Sequence, residues 1–262
     1  MQLKSAQDIK RIYHSGQITG GFLREVASLV KPDTTTKELD VFAAEYFSKH
    51  KSAPAFLGYK GFPANICVSI DDEIVHGIPG ERRLKPGEII SIDVGTILDG
   101  YYSDAASTYV VGDKVPSADA ERLMAGTQAS LKAGIQALAP GQPIRQVSRA
   151  IENELLRHSL GVIRELTGHG VGFKLHEEPT VYNFDTGARG ELVKEGLVVA
   201  IEPMASLGST QILLAADNWT YRTADGSLAA HYEHTVACWN GHVYVLTDPL
   251  DDEARQEFGT SN

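Results

Sequence analysis

Four carboxylates and one histidine stand in apolar or glycine-rich stretches of this chain: Asp93, Asp104, His169, Glu202 and Glu233. Asp93 lies in EIISIDVG and Glu202 in LVVAIEPM, two segments whose continuous apolar character predicts buried strands. An ionised carboxylate that is removed from water needs a partner charge or a metal ion. One such acid is explained as well by a salt-bridged core carboxylate, but five ligand-type residues with few basic neighbours indicate a functional site.

Length and composition are those of an ordinary globular protein. The 262 residues are enough for one large core, and we expect one domain over residues 1–262. An apolar content of 42% and a charged content of 22% exclude the disordered and fibrous classes. A formal net charge of -10 without a basic stripe argues against direct recognition of nucleic acid.

The cysteine and hydropathy patterns predict a cytoplasmic protein without a membrane partner. Cys67 and Cys238 lie in separate predicted strands and form no CxxC motif, so neither a zinc knuckle nor a disulfide framework is indicated. The amino-terminal segment has no continuous apolar region, and no later run reaches the length of a bilayer span.

Two helical pairs, each interrupted by a proline, give the chain an internal repeat. Pro32 and Pro140 occupy equivalent positions between the helices of each pair, and Thr35 with Glu38 forms a capping box that starts the second helix. This repeat predicts two similar halves packed about a pseudo-twofold axis, with a site at their junction. The predicted helices cover about residues 5–30, 35–50, 117–138 and 143–159.

A predicted hairpin places two of the acids near each other. The segments EIISIDVG and GYYSDAASTYVV have strand character and are joined through Asp99-Gly100, a strong hairpin signal. Asp93 and Asp104 lie on the two arms of this hairpin, so both side chains can face one side of the sheet.

One imidazole and four carboxylates form a hard, oxygen-rich ligand set that suits Mn, Fe(II), Co or Zn. Bridging carboxylates favour a pair of ions about 3.5–4 Å apart, the equipment of an aminopeptidase, phosphatase or nuclease. The motifs have no arginine cluster that would bind phosphate, which favours the aminopeptidase. Taken singly, His169 is explained equally well as a turn histidine, and Glu202 or Glu233 as a solvent-facing acid on an edge strand.

The ordered motifs VHGIP, IDVG, YSDA, TGHGVG, HEEP, IEPM and YEHT resemble those of type I methionine aminopeptidases over essentially the whole chain. The resemblance implies an α/β (α+β) pita-bread fold, in which two pseudo-twofold-related halves surround a mostly antiparallel curved sheet with helices on the outer face. It also implies removal of the initiator methionine from nascent proteins and peptides with a small second residue, by hydroxide attack on the first peptide bond.

The resemblance assigns a metal-binding role to each of the five residues. Asp93 would serve the second metal, Asp104 and Glu233 would bridge the metals, and His169 with Glu202 would hold the first. The implied cofactor is two divalent ions of Co, Mn, Fe(II) or Zn.

The resemblance also implies catalytic and substrate-binding residues. Glu202 is the candidate general base, while His76 and His176 match two histidines that contact substrate and stabilise the tetrahedral intermediate by hydrogen bonding. Either histidine, read alone, is an ordinary loop residue, and each pocket residue is explained by core packing. The residues at the matching positions of the methionine pocket are Tyr59, Phe62, Cys67 and Trp219.

Four positions depart from the pattern of the family. Phe56 stands where cysteine is frequent, Phe62 where tyrosine is frequent, and Leu175 where phenylalanine is frequent, so the pocket is expected to differ in shape. Gly95 stands where many members have threonine beside the ligand of the second metal. The missing hydroxyl is expected to weaken that metal site or its water network.

Three other readings remain open at this stage. An X-Pro peptidase shares the fold and the five ligands, but it usually has an additional amino-terminal domain and tends to carry aspartate where this chain has His234. A metal-free pita-bread binding module would not need the retained ligands, and a protein that interacts through an apolar stripe predicts none of the buried acids. We expect a monomer whose partners are nascent polypeptide amino termini and the ribosome.

Overall fold

The computed structural model describes residues 1–259, which form a mixed α/β fold. None of the helices in this part of the chain combines the length and the apolar character needed to cross a bilayer. The helices are α1 (Ala6–Val26), α2 (Thr36–Lys49), α3 (Ala118–Ala137), α4 (Arg145–Arg157) and α5 (Asp252–Phe258). The strands are β1 (Ala53–Pro54), β2 (Cys67–Ile70), β3 (Glu73–Val75), β4 (Ile89–Leu98), β5 (Tyr101–Val110), β6 (Gly161–Val162), β7 (Thr167–Gly170), β8 (Glu177–Tyr182), β9 (Val198–Ile201), β10 (Met204–Ser206), β11 (Ile212–Leu214), β12 (Tyr221–Thr223), β13 (Ala229–His231), β14 (Glu233–Trp239) and β15 (His242–Val245).

The first two helices begin at reciprocal capping boxes. The Thr35 hydroxyl accepts a hydrogen bond from the N–H of Glu38, and the Glu38 carboxylate accepts one from the N–H of Thr35. Ser5 and Asp8 make the same arrangement at the start of α1. All four helices predicted from the sequence are confirmed, and a 3₁₀ turn over Ala27–Leu29 follows α1.

Strands β4 and β5 form the predicted hairpin. Asp99 and Gly100 make its turn with φ values of 50° and 81°, a left-handed conformation that Asp-Gly sequences favour. The register sets Asp93 opposite Ala106 and Gly95 opposite Asp104. Asp93 and Asp104 therefore lie on the same face of the sheet, as the sequence predicts.

The main sheet is antiparallel and joins the two halves at its centre. Its order is β1-β4-β5-β14-β9-β7-β8, with β2 beside β4 and β15 beside β14. On one side of the β5–β14 contact lie the strands of the first half, β1, β2, β4 and β5. On the other side lie the strands of the second half, β7, β8, β9, β14 and β15. This arrangement confirms the predicted pseudo-twofold relation.

Each half buries its helical pair against one face of the sheet. Phe22 and Phe47 of α1 and α2 share a core with Ile92 of β4, while Leu131 and Ile151 of α3 and α4 share another with strands of the second half. Side chains alternate along a strand, so the apolar neighbours of the candidate ligands face the helices. The ligands themselves are left on the opposite face.

Candidate metal centre and active site

The strand register brings three of the candidate ligands, Asp93, Glu233 and Glu202, into one row across the sheet. Directly opposed residues point to the same face, and the small side chain of Ala106 leaves space between its two acidic neighbours. Glu202, the residue after β9, continues the row on the far side. The opposed residues, in order across β2, β4, β5 and β14, are Cys67, Asp93, Ala106 and Glu233.

His169 directs one ring nitrogen at the carboxylates. Its Nε2 lies 3.3 Å from Glu202 Oε1 and 3.9 Å from Asp104 Oδ2. Its Nδ1 is 2.9 Å from the carbonyl oxygen of Gly170, which can only accept, so Nδ1 carries the proton and Nε2 the lone pair. Ligand atoms of Asp104, His169 and Glu233 lie within 4.8 Å of one another. This grouping fits one ion about 2.0–2.2 Å from each atom.

The glycines beside His169 permit close approach of neighbouring backbone. A Cβ at Gly168 would collide with the carbonyl oxygen of Ala200, and a Cβ at Gly170 would collide with that of Glu178. Both positions therefore require glycine for close backbone contact.

Buried polar groups fix the backbone of two candidate ligands. The Thr235 hydroxyl accepts a hydrogen bond from the N–H of Asp104 at 2.9 Å and donates one to its carbonyl at 2.8 Å. The side-chain amide of Asn183 donates to the carbonyl of Glu202 at 3.1 Å. Because these contacts use only backbone atoms of Asp104 and Glu202, both carboxylates remain available to a ligand.

The site has the features expected of a cation-binding centre. Asp93 Oδ1, Asp104 Oδ1 and Glu233 Oε1 are buried and have no hydrogen-bond partner among the described residues. Buried carboxylate oxygens without a partner are costly, and a divalent ion satisfies several of them at once. The four acids and the neutral imidazole therefore fit divalent metal ions.

Burial perturbs the proton affinity of every candidate ligand. Removal from water raises the pKa of Asp93 to about 7 and raises the pKa values of Asp104, Glu202 and Glu233 well above their usual range. Repulsion from neighbouring acids adds to the rise at Asp104, Glu202 and Glu233. Burial lowers the pKa of His169 to about 4, so its imidazole is neutral at pH 7. A neutral imidazole is the form that ligates a metal.

Relative to an Asp104→Asn, Glu233→Gln double variant, the metal-free protein is expected to lose stability as the pH rises from about 4.5 through 7, because the two proteins share the buried histidines, whose lowered pKa values act in the opposite direction. The folded protein retains protons on the buried carboxyls that the unfolded chain has already released in this range, so folding is favoured on the acid side. Thermal unfolding of chelator-treated protein at roughly pH 5.5, 6.5 and 7.5 measures how stability changes with pH. An Asp104→Asn, Glu233→Gln double variant provides the comparison; an equally steep dependence in that variant would contradict the assignment.

A single cavity of about 290 Å³ contains all the residues predicted to bind metal or substrate. Its wall joins the carboxylate row to an apolar cluster that includes Phe62, Cys67 and Leu175. Phe62 packs edge-on against Trp219, with ring centroids 5.1 Å apart. The predicted site residues on its wall are Tyr59, Phe62, Cys67, His76, Asp93, Asp104, His169, His176, Glu202, Trp219 and Glu233.

His76 is held in the cavity wall by an unusual backbone conformation. Its φ of 60° is in the left-handed region, which costs a non-glycine residue about 1–3 kcal/mol. The next residue, Gly77, accepts a hydrogen bond from the N–H of Val68 at 2.8 Å and donates one to the Ser69 hydroxyl at 3.2 Å. These contacts with β2 offset the strain and aim the imidazole at the cavity.

His176 lies at the exposed mouth of the cavity. Its ring stacks on Tyr59 with centroids 5.3 Å apart and lies 4.2 Å from the ring of His169. The next residue, Glu177, pairs with the buried Lys4 at 2.5 Å and accepts hydrogen bonds from two backbone N–H groups of the preceding loop. This buried ion pair ties the loop that carries His176 to the amino-terminal segment.

Gly95 and Phe56, two departures from the family pattern, contact each other. A Cβ at Gly95 would lie 2.7 Å from the Cβ of Ala55 and 2.9 Å from Cε1 of Phe56. The ring of Phe56 therefore fills the space that a side chain at position 95 would need. The ring therefore accounts for part of the restriction at position 95, and the Cβ of Ala55 accounts for the rest.

Gly95→Thr is expected to lower the free energy of unfolding by about 1–3 kcal/mol, the usual cost of overpacking. Phe56→Cys in the same chain removes the obstructing ring, so the double variant should be more stable than the sum of the two single effects. Chemical denaturation of the four proteins measures the coupling. Additive effects would show that the ring and the new side chain do not compete for this space.

Sequence reasoning missed one buried histidine of the cavity. His231 is 1% exposed and lines the cavity near the carboxylates. It is the last residue of β13, but nothing in its own sequence context distinguishes it from a core histidine. Lys60, Glu165 and Thr167 also line the cavity and were not singled out.

Comparison with known proteins gives the class. The sequence pattern of metallopeptidase family M24 matches residues 10–239. The methionine aminopeptidase of Borreliella burgdorferi is 43% identical over 249 residues, which cover 95% of this chain and 98% of that protein. The chain therefore belongs to metallopeptidase family M24 and, within it, to the methionine aminopeptidases.

Solved structures agree with this assignment and with the pita-bread fold. The crystal structure of methionine aminopeptidase from Rickettsia prowazekii has a TM-score of 0.91 and 34% identity, and the match covers 94% of this chain and 99% of that chain. The prolidase from Pyrococcus furiosus has a TM-score of 0.73 and 21% identity, and the match covers 94% of this chain but 65% of that chain. At that identity the prolidase shares the fold alone.

Proposed function

We propose that this metalloaminopeptidase removes the initiator methionine from nascent polypeptides and peptides with a small second residue. The observation that supports the proposal most directly is the continuity of the carboxylate row with an apolar, partly aromatic pocket in one cavity. The pocket would accept the methionine side chain and leave the first peptide bond beside the carboxylates. Both halves of the chain contribute to this cavity, which supports our prediction of one catalytic domain.

We assign two divalent ions to this site: Asp93 would hold one ion, His169 and Glu202 would hold the other, and Asp104 and Glu233 would serve both. Such ions supply a polarised carbonyl and a water of lowered pKa. Glu202 then accepts a proton from the attacking water and delivers it to the leaving amine. His76 and His176, which both line the cavity, donate hydrogen bonds to the carbonyl oxygen as charge develops on it.

The ions themselves and the cellular setting complete the proposal. Co, Mn, Fe(II) and Zn all suit this ligand set, and a free amino terminus is a further donor to the metal. The net charge of -10 supports a protein that does not bind nucleic acid directly. We expect a cytoplasmic monomer that acts on chains as they leave the ribosome.

Hydrolysis by chelator-treated protein reloaded with each metal tests the proposed function. A tripeptide that begins Met-Gly or Met-Ala is compared with an Ala-Pro dipeptide and with a tripeptide that lacks methionine and proline. Metal-dependent release of methionine alone is the expected result. Cleavage confined to Ala-Pro would instead identify an X-Pro peptidase, and inactivity with every metal would favour a binding module.

A further inference from the structure

We propose that His231 is a sixth side chain of the metal centre, a second imidazole that ligates the ion held by Glu202 and Glu233. This inference rests on the proposed metal site and extends it beyond the five residues assigned above. Ligand atoms of Glu202, His231 and Glu233 all lie within 4.8 Å of one another. The group shares Glu233 with the cluster formed by Asp104 and His169, so the two clusters are contiguous.

The distances at His231 match those at His169. His231 Nε2 lies 3.7 Å from Glu202 Oε2 and 3.9 Å from Glu233 Oε2. The corresponding distances from His169 Nε2 are 3.3 Å to Glu202 Oε1 and 3.9 Å to Asp104 Oδ2. Both distances from His231 exceed a direct hydrogen bond, whereas two atoms about 2.1 Å from a shared ion are separated by up to about 4.2 Å. Glu202 thus turns one oxygen toward each imidazole.

The ring of His231 has no other partner in the described part of the chain. Both Nδ1 and Nε2 are buried and form no hydrogen bond there. A buried imidazole normally hydrogen-bonds through at least one nitrogen, and a ring that lacks any such contact loses the free energy of solvation without return. A bound ion at Nε2 supplies the missing interaction.

The pseudo-twofold axis gives an independent reason to assign this position to the metal centre. We draw the axis between β5 and β14 at the opposed pair Ala106 and Glu233, because this position superposes the hydrogen bonds that Thr108 and Thr235 make on its two sides. The axis relates residues at equal distances along the chain from this central pair, Ala106 and Glu233. Two residues later it relates Thr108 to Thr235, and two residues earlier it relates Asp104 to His231, the last residue of β13. His231 is therefore the counterpart of the bridging carboxylate Asp104.

Hydrogen bonding to the backbone follows the same symmetry. Thr235 Oγ1 accepts from the N–H of Asp104 and donates to its carbonyl. Thr108 Oγ1 accepts from the N–H of His231 at 3.1 Å and donates to its carbonyl at 2.8 Å. Each threonine fixes the backbone opposite and leaves the side chain of Asp104 or His231 directed into the same cavity.

Cobalt(II) binding to the metal-free protein tests the inference without substrate. His231→Gln keeps a polar side chain but removes the imidazole, and His234→Gln on the same segment is the matched control because His234 contacts Thr247 on the opposite face. We expect His231→Gln to raise the Kd at least about tenfold and to change the visible absorption of bound cobalt. His234→Gln should change neither. An unchanged Kd and spectrum in His231→Gln would overturn the inference.

Two further measurements separate failure of the inference from failure of the proposed site or of folding. His169→Gln should weaken cobalt binding; if it does so while His231→Gln does not, the metal site stands and His231 is excluded from it. If neither variant weakens binding, both assignments are wrong. In wild-type protein with ¹⁵N-labelled histidine and ¹¹³Cd, scalar coupling of the metal to two imidazoles is expected, whereas coupling to one would exclude His231.

Discussion

Glu202→Gln is expected to reduce turnover of the metal-loaded protein by about 10²–10⁴-fold, the usual contribution of a general base. The amide retains an oxygen that can contact a cation, but it cannot accept a proton at neutral pH. The Glu202 side chain is 12% exposed and lies between His169 and His231, so it reaches both the metals and the water in the cavity. Steady-state kinetics on a Met-Gly tripeptide should show a fall in kcat with a small change in KM.

The comparison requires equal metal content in both proteins, measured by atomic absorption. Glu121→Gln on the exposed surface of α3 is the control, because it changes the same functional group outside the cavity. Near-normal turnover in fully loaded Glu202→Gln would falsify the role of Glu202 as the base and leave it as a metal ligand.

Asp104→Asn is expected to abolish measurable peptidase activity through loss of metal. The substitution keeps the size of the side chain and the backbone contacts with Thr235, but it removes the charge that would bridge two ions. Affinity for Co(II) should fall by at least about 10–100-fold, the range already seen when only an outer-shell partner is lost. Metal content after dialysis and calorimetric titration measure the effect.

Asp113→Asn at an exposed turn provides the matched change of charge away from the centre. Circular dichroism of both variants separates metal loss from unfolding. Full metal content together with wild-type turnover in Asp104→Asn would remove this residue from the centre. At a pH of roughly 7.5, the metal-free variant is also expected to be more stable than metal-free wild type. The variant lacks the buried carboxyl of Asp104, whose raised pKa makes its ionisation unfavourable in the folded protein.

The helices, the hairpin and the class of the protein were predictable because their signals are local. Capping boxes, the Asp99-Gly100 turn and the spacing of apolar residues each act within a few positions of the chain. The candidate ligands were visible for a related reason: a carboxylate such as Asp93 in an apolar strand is costly wherever that strand lies. Their roles remain predictions until metal binding is measured.

The features that sequence reasoning missed depend on contacts between distant segments. His231 is apparent only when the register of β5 and β14 makes it the counterpart of Asp104. The position of the Phe56 ring beside Gly95 likewise depends on the pairing of β1 with β4. This pairing sets Ala53 opposite Ile97 and Pro54 opposite Thr96. A strand as short as β1 shows no hydrophobic periodicity, so neither the strand nor its pairing partner can be predicted from the sequence.

The junction of β5 and β14 gives the metal centre a mechanical role. The sheet pairing there consists of two registered residue pairs, Glu233 with Ala106 and His234 with Ala105. Asp93 and Asp104 belong to one half, whereas the other candidate ligands belong to the second half. An ion bound by residues of both halves would cross-link them at this junction, and a chelator could remove that cross-link. Since an apolar core that joins Ile9 and Ile12 of α1 to Val198 and Ala237 also spans the seam, chelation would weaken the junction without separating the two halves.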